Sequence, residues 1–125
     1  MKKILRTKHA PEAIGPYSQG VDIGDLVFVS GQIPIDPATG KIEATDIEDQ
    51  TRQVFENIKA VLLAADLGLE HVVKMGVFLK TLDEFQAMNA VYAEYFPGDP
   101  PARSTIAAAG LPMGARVEID VIARR

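Results

Sequence analysis

The chain has 125 residues, a formal net charge of −4, 47% hydrophobic and 24% charged residues, the profile of one ordinary globular domain whose core needs no staples. It contains no cysteine, which excludes disulfides, thiolate nucleophiles and cysteine metal sites and suits a reducing compartment. Its 13 basic residues are scattered apart from short terminal clusters; without the basic stripe that neutralises phosphates, nucleic acid is a disfavoured partner.

Residues 1–6 begin charged but lead into no apolar h-region, and the longest apolar run, residues 60–65, is far too short to cross a bilayer. The expectation is a soluble, cytoplasmic protein. In chain order, residues 2–7 predict an edge strand. Ala13-Ile14-Gly15-Pro16-Tyr17-Ser18-Gln19 follows as a loop in which Gly-Pro sets a turn and places Tyr17 just before the next strand. Tyr17 is either a half-buried aromatic or a pocket-lining phenol. Residues 21–23 and 26–29 flank Gly24-Asp25, a two-residue hairpin signal. The second of these strands runs into Ser30-Gly31-Gln32, where Gly31 allows close approach by a ligand or simply makes a turn.

Pro34, Pro37 and Gly40 predict a loop over residues 33–42. Thr45 to Glu48 has the spacing of a capping box. The helix it opens carries Ile47, Val54, Ile58, Val61, Leu62 and Ala65 on one face, with a glycine stop predicted at Gly68. Val73, Met75, Val77 and Leu79 alternate along a long strand. Thr81 to Glu84 predicts a second capping box, opening a helix with Phe85, Met88, Tyr92 and Phe96 inward and Pro97-Gly98 as its stop. Asn89 falls beside that apolar face. A buried amide must find partners at a cost of roughly 1–3 kcal/mol if it does not, so Asn89 either ties the helix to a loop or braces a site.

Pro100-Pro101-Ala102-Arg103-Ser104-Thr105 enters the next strand stiff and extended. An arginine so presented suits a planar, two-oxygen anion, because its donors form a rigid fork. In the last strand Val117, Ile119, Val121 and Ala123 share a face expected to lie under the helices, while Glu118 and Asp120 share the other. Arg103 followed by Glu118 in a neighbouring strand reads either as a small-acid site or as an ion pair between strands. Strands and helices segregate into layers, an α+β domain over residues 1–125. The second sheet face, with acids and small residues, predicts a cover, and another copy of the chain is the expected one. His9 and His71 form no metal-spaced pair, and phosphate loops, dinucleotide fingerprints and Ser/His/acid sets are missing. What remains is acid/base work on a small anion.

Three stretches in order, Ala13 through Gln19, Phe28-Val29-Ser30-Gly31-Gln32, and Pro101-Ala102-Arg103-Ser104 through Val117-Glu118-Ile119, resemble the motifs of the Rid (YjgF, RidA-like) family of reactive intermediate deaminases. The resemblance spans nearly the whole chain. It implies a chorismate-mutase-like α+β sheet with two helices on one face, a homotrimer whose sheets line a central barrel, and sites between subunits. The implied activity is hydrolysis of reactive 2-imino and enamine acids to 2-oxo acids and ammonia, with no metal or organic cofactor. Carried over residue by residue, Arg103 would bind the substrate carboxylate and Glu118 would handle the water and its protons. Ser30 and Gly31 would line the pocket, Tyr17 would close over the substrate and Asn89 would brace it. Many members carry cysteine two residues after the arginine where this chain has Thr105, which rules out any thiol-based property there. The resemblance also leaves a non-catalytic trimeric small-acid binder and, less favoured by the acidic balance, a translation-inhibitor ribonuclease.

Overall fold

The structure is a computed structural model that describes all of residues 1–125. Eight strands and two helices follow in the order β1 (Lys3–Leu5), β2 (Gly20–Asp22), β3 (Leu26–Gln32), β4 (Ile35–Asp36), β5 (Lys41–Ile42), α1 (Ile47–Leu63), β6 (Val72–Leu79), α2 (Phe85–Tyr95), β7 (Ala102–Ala107) and β8 (Val117–Arg124). Six strands form one sheet in the order β1-β2-β3-β8-β6-β7, antiparallel except for the parallel β6–β7 pair. The architecture is α+β, with both helices on one face of a mostly antiparallel sheet.

The hairpin at Gly24-Asp25 forms as its sequence predicts, with Gly24 at φ 108° and the Ile23 N–H donating to the Leu26 carbonyl at 3.0 Å. Residues 33–42 are not simply a loop: β4 and β5 pair there as a two-rung hairpin. Asn57 on α1 secures it, donating from Nδ2 to the Ile33 and Ile35 carbonyls at 3.2 and 2.9 Å.

The caps differ from expectation by a residue or two. Asp46, not Thr45, begins α1, its carboxylate accepting from the Asp49 N–H at 2.7 Å. Thr45 and Asp46 are both good cap residues, and the shorter acid also meets the positive end of the helix. The helix stops at Asp66 rather than Gly68. Asp66 takes the left-handed conformation (φ 59°), and the Leu67 and Asp66 N–H groups return to the Leu62 and Leu63 carbonyls, both within 3.0 Å. Aspartate tolerates this backbone region better than most residues. Thr81 caps a short 3-10 turn instead of a full box. Glu84 does not fold back there because Arg116 holds it, with Nη1 3.0 Å from each carboxylate oxygen.

Along β6 the inward residues are Val72, Met75, Val77 and Leu79, whereas Val73 is exposed. The register against β8 shifts between Val72 and Lys74; the bulge turns Val73 outward, which alternation alone cannot anticipate. Val117, Ile119, Val121 and Ala123 lie under the helices as expected, all at most 2% exposed. They pack on Val54, Ile58, Val61 and Leu62 of α1, which with Met88 and Tyr92 of α2 complete one core. Fully burying a side chain such as Ile58 contributes about 1.5–3 kcal/mol. No helix is long and apolar enough to cross a membrane.

Candidate functional site

Arg103 lies within β7, the edge strand, opposite Met75 of β6. Paired residues in a sheet point to the same side, so Arg103 and Thr105 (opposite Val77) share the helix side with buried Met75 and Val77. There the guanidinium carbon sits 4.6 Å from the centre of the Tyr92 ring and 5.6 Å from that of Phe85. Its Nη1 donates to Asn89 Oδ1 at 2.7 Å. Phe85, Asn89 and Tyr92 fall at i, i+4 and i+7 on one stripe of α2, so a single helix face holds the cation between two rings and an amide. Burial pushes the Tyr92 phenol up, with Arg103 acting in the opposite direction. The Tyr92 hydroxyl and Thr105 Oγ1 are both buried without a hydrogen-bond partner.

Glu118 occupies the other face. It pairs with Phe78 in the β6–β8 ladder, and Asp120 pairs with Gly76. The acid is not in the strand next to Arg103: β6 lies between β7 and β8. No ion pair joins the two residues, so the inter-strand ion-pair reading is excluded. Glu118 is half-buried, and burial, then the nearby Asp120 carboxylate, holds its own carboxyl above the usual carboxylate range. Its side chain lies across Gly31, where any Cβ would collide with the carboxylate. Gly31 sits in a β3 irregularity, where the register against β8 shifts between Val29 and Gln32.

Ser30, just before it, is tied to the Tyr17 loop. Its hydroxyl donates to the Ser18 carbonyl and its N–H to the Gln19 carbonyl at 2.9 Å. The buried Gln19 side chain clamps that loop from the other side, donating to the Thr7, Ala10 and Pro11 carbonyls and accepting from the Thr7 N–H at 2.8 Å. Tyr17 itself is 53% exposed, its hydroxyl accepting a long 3.4 Å bond from the Ile14 N–H.

The sequence-predicted residues therefore form three groups in one chain. Arg103, Asn89 and Thr105 meet on the helix side; Gly31 and Glu118 meet on the outer side; Ser30 of β3 holds the loop that carries Tyr17. A groove of about 680 Å³ runs past Tyr17 and Ser18, and another of about 710 Å³ lies beside His9 and Asn57; neither contains Arg103 or Glu118. No group of three or more His, Asp or Glu side chains is placed to hold a metal ion. Phe85 and Tyr92 were legible in the sequence only as core aromatics. Their spacing about Asn89 was the signal that they also flank the arginine. Asp120 likewise showed only as a face-mate of Glu118.

A family model described as Endoribonuclease L-PSP matches residues 7–125. The chain belongs to the YjgF/RidA family. A RutC family protein of Pyrococcus horikoshii is 51% identical over 98% of both chains. TdcF of Escherichia coli, whose provisional name is reactive intermediate deaminase, is 48% identical over 100% of this chain and 98% of its own. The crystal structure of E. coli TdcF with bound serine superposes with a TM-score of 0.95 at 46% identity, covering 98% of each chain. YyfA of Yersinia pestis, a Rid family protein of unknown function, superposes with a TM-score of 0.97 at 48% identity over 100% of both chains. The α+β fold and the Rid-type motifs thus agree with the family expectation.

Proposed function

We propose that this protein hydrolyses small 2-imino acids, and the enamines that tautomerise to them, to 2-oxo acids and ammonia, in sites formed between copies of the chain. The observation that carries this reading is the placement of Arg103 and Glu118. One is a guanidinium fork held in an aromatic slot at an open sheet edge; the other is a half-buried carboxyl without an ion-pair partner on the opposite sheet face. A single chain keeps the sheet between them. A second copy, laying its outer face against the β7 edge, brings one chain's Glu118 to the other's Arg103. Three such contacts close a trimer, the cyclic arrangement the family resemblance implies.

In this arrangement Arg103 takes the substrate carboxylate, each charged hydrogen bond contributing roughly 1.5–3 kcal/mol, and Asn89 keeps the guanidinium turned to receive it. The carbon of the C=N bond is already electrophilic, so the main task is to place a water beside it. Glu118 accepts a proton as that water adds, giving a carbinolamine, returns it to nitrogen, and takes the hydroxyl proton as the C–N bond breaks, the carbonyl forms and ammonia leaves. General acid/base help of this kind is worth about 10²–10⁴-fold. Gly31 and Ser30 frame the carboxyl, Tyr17 covers the substrate, and Thr105 lines the floor beside Arg103. No step requires a cofactor, and the cytoplasm is the compartment this chemistry suits.

A second reading, capture of small acids without turnover, is favoured by the serine bound in the TdcF crystal structure. A coupled assay separates the two. A threonine dehydratase generates the imine in semicarbazide buffer, and 2-oxobutanoate formation is followed with wild type, Arg103→Ala and Glu118→Ala. Faster hydrolysis and less semicarbazone with wild type alone supports the deaminase. An inert wild type that still binds 2-oxobutanoate makes the protein a binder.

A further inference from the structure

Glu118 and Asp120 stand two residues apart on β8 and lie on the same outer sheet face, but they lean in opposite directions. Glu118 crosses toward β3 over Gly31, and Asp120 crosses toward β6 over Gly76. In both flanking strands the residue beneath the carboxylate is one whose Cβ would collide with it. The two acids differ in what holds them. Asp120 Oδ1 accepts from the Gly76 N–H at 3.0 Å, which fixes its carboxylate over β6. Glu118 has neither such a donor nor a cationic partner within the chain.

We propose that Asp120 is a positioning residue for the reaction: anchored on the Gly76 amide, it is a fixed negative neighbour that sets how readily Glu118 takes up and returns its proton. This rests on the role given to Glu118 above. The remaining surroundings of Glu118 leave Asp120 as its nearest titratable neighbour in the chain. From β3 it lies over Gly31, and from β6 it faces Phe78, with Gly76 under Asp120. Lys74, opposite Ile122, is one outward rung beyond the Asp120–Gly76 pair, and Arg124 is farther along β8. In the assembly proposed above, Arg103 of a neighbouring copy also approaches it. Burial of Glu118 and the charge of Asp120 both act to keep the Glu118 proton on, and only the second is removable by a single isosteric change.

Asp120→Asn removes the charge and keeps an oxygen to accept from the Gly76 N–H, so the strand pairing is retained. The test follows the Glu118 carboxyl directly, by carbon-13 NMR titration of labelled protein in wild type and Asp120→Asn, with Glu118→Gln to assign the signal. The same proteins give pH–rate profiles for imine hydrolysis. The expected result is a Glu118 midpoint moved to lower pH in Asp120→Asn. The low-pH limb of the rate profile, where the base is lost by protonation, moves the same way. A Glu118 midpoint that stays put overturns the proposal, as does a moved midpoint with an unmoved limb in an active enzyme. If wild type does not hydrolyse imines at all, the functional reading fails, while the carboxyl titration still decides whether Asp120 controls Glu118.

Discussion

Asn89 offers the sharpest view of how the arginine is used. Its Oδ1 accepts from Arg103 Nη1 at 2.7 Å, the distance of a charge-assisted bond. A hydrogen bond to a charged group contributes about 1.5–3 kcal/mol, which at 1.4 kcal/mol per decade is roughly 10- to 150-fold in binding. The lower end applies to Asn89→Ala, because the Phe85 and Tyr92 rings still hold the guanidinium. The expected outcome is a KM for the imino acid raised about tenfold, with kcat changed by only a few-fold. Asn89→Asp has nearly the same shape but puts a carboxylate where the amide oxygen was. That group occupies the fork meant for substrate, and the loss in kcat/KM should exceed about 100-fold. Steady-state kinetics in the dehydratase-coupled assay, with circular dichroism to confirm folding, reads both variants. If Asn89→Asp binds substrate as well as wild type, Arg103 does not receive the carboxylate and the reasoning fails.

Other outcomes follow from the same geometry. Gly31→Ala forces a Cβ against the Glu118 carboxylate, so hydrolysis should drop by about tenfold or more while the far-UV spectrum is kept; unchanged kinetics would show that Glu118 has another resting place. Tyr92→Phe keeps the ring over Arg103 and removes a buried hydroxyl that has no partner. It should leave stability equal or higher and KM near wild type, whereas Tyr92→Leu should raise KM. Glu118 also makes stability depend on pH. Its folded-state affinity for a proton is raised above that of an ordinary glutamate, so the native state holds more protons than the unfolded chain as pH rises above the usual carboxylate range, and stability falls with pH across that window. Glu118→Gln should therefore have the higher Tm at pH 7, with the gain over wild type shrinking as pH falls from 7 toward about 4 and lost below it; a pH-independent difference in Tm would contradict this.

Much of the fold was legible in the sequence because its signals are local. The Gly24-Asp25 turn, the inward stripe from Ile47 to Ala65 and the alternation of residues 117–123 each depend on a few neighbouring residues, and each forms as read. The misses lie where two local choices were nearly equal or where a distant partner decided. Thr45 and Asp46 compete as caps. Asp66 ends the helix two residues before the more conventional glycine. Glu84 leaves its box for Arg116, which lies 32 positions away in sequence. Val73 faces outward because of a bulge, a feature of strand pairing and not of composition.

The site divides the same way. Arg103, Glu118 and Gly31 were visible as residue types in suggestive settings, and the motifs raised them together. Their separation onto opposite sheet faces was hidden, because it depends on β6 entering between β7 and β8 and on the parallel register of Met75 with Arg103. The same register brings Arg103 under the Phe85–Asn89–Tyr92 stripe, giving three residues read mainly as helix packing a shared task.

That separation is also where the account is most exposed. Arg103→Ala and Glu118→Ala should each be inactive alone. Co-expressed at equal levels, or unfolded and refolded together, they should regain about a quarter of wild-type imine hydrolysis, because one site in four then pairs an intact arginine from one copy with an intact glutamate from another. If the mixed protein assembles yet stays as inactive as its parents, Arg103 and Glu118 do not meet across copies, and the proposed site is wrong.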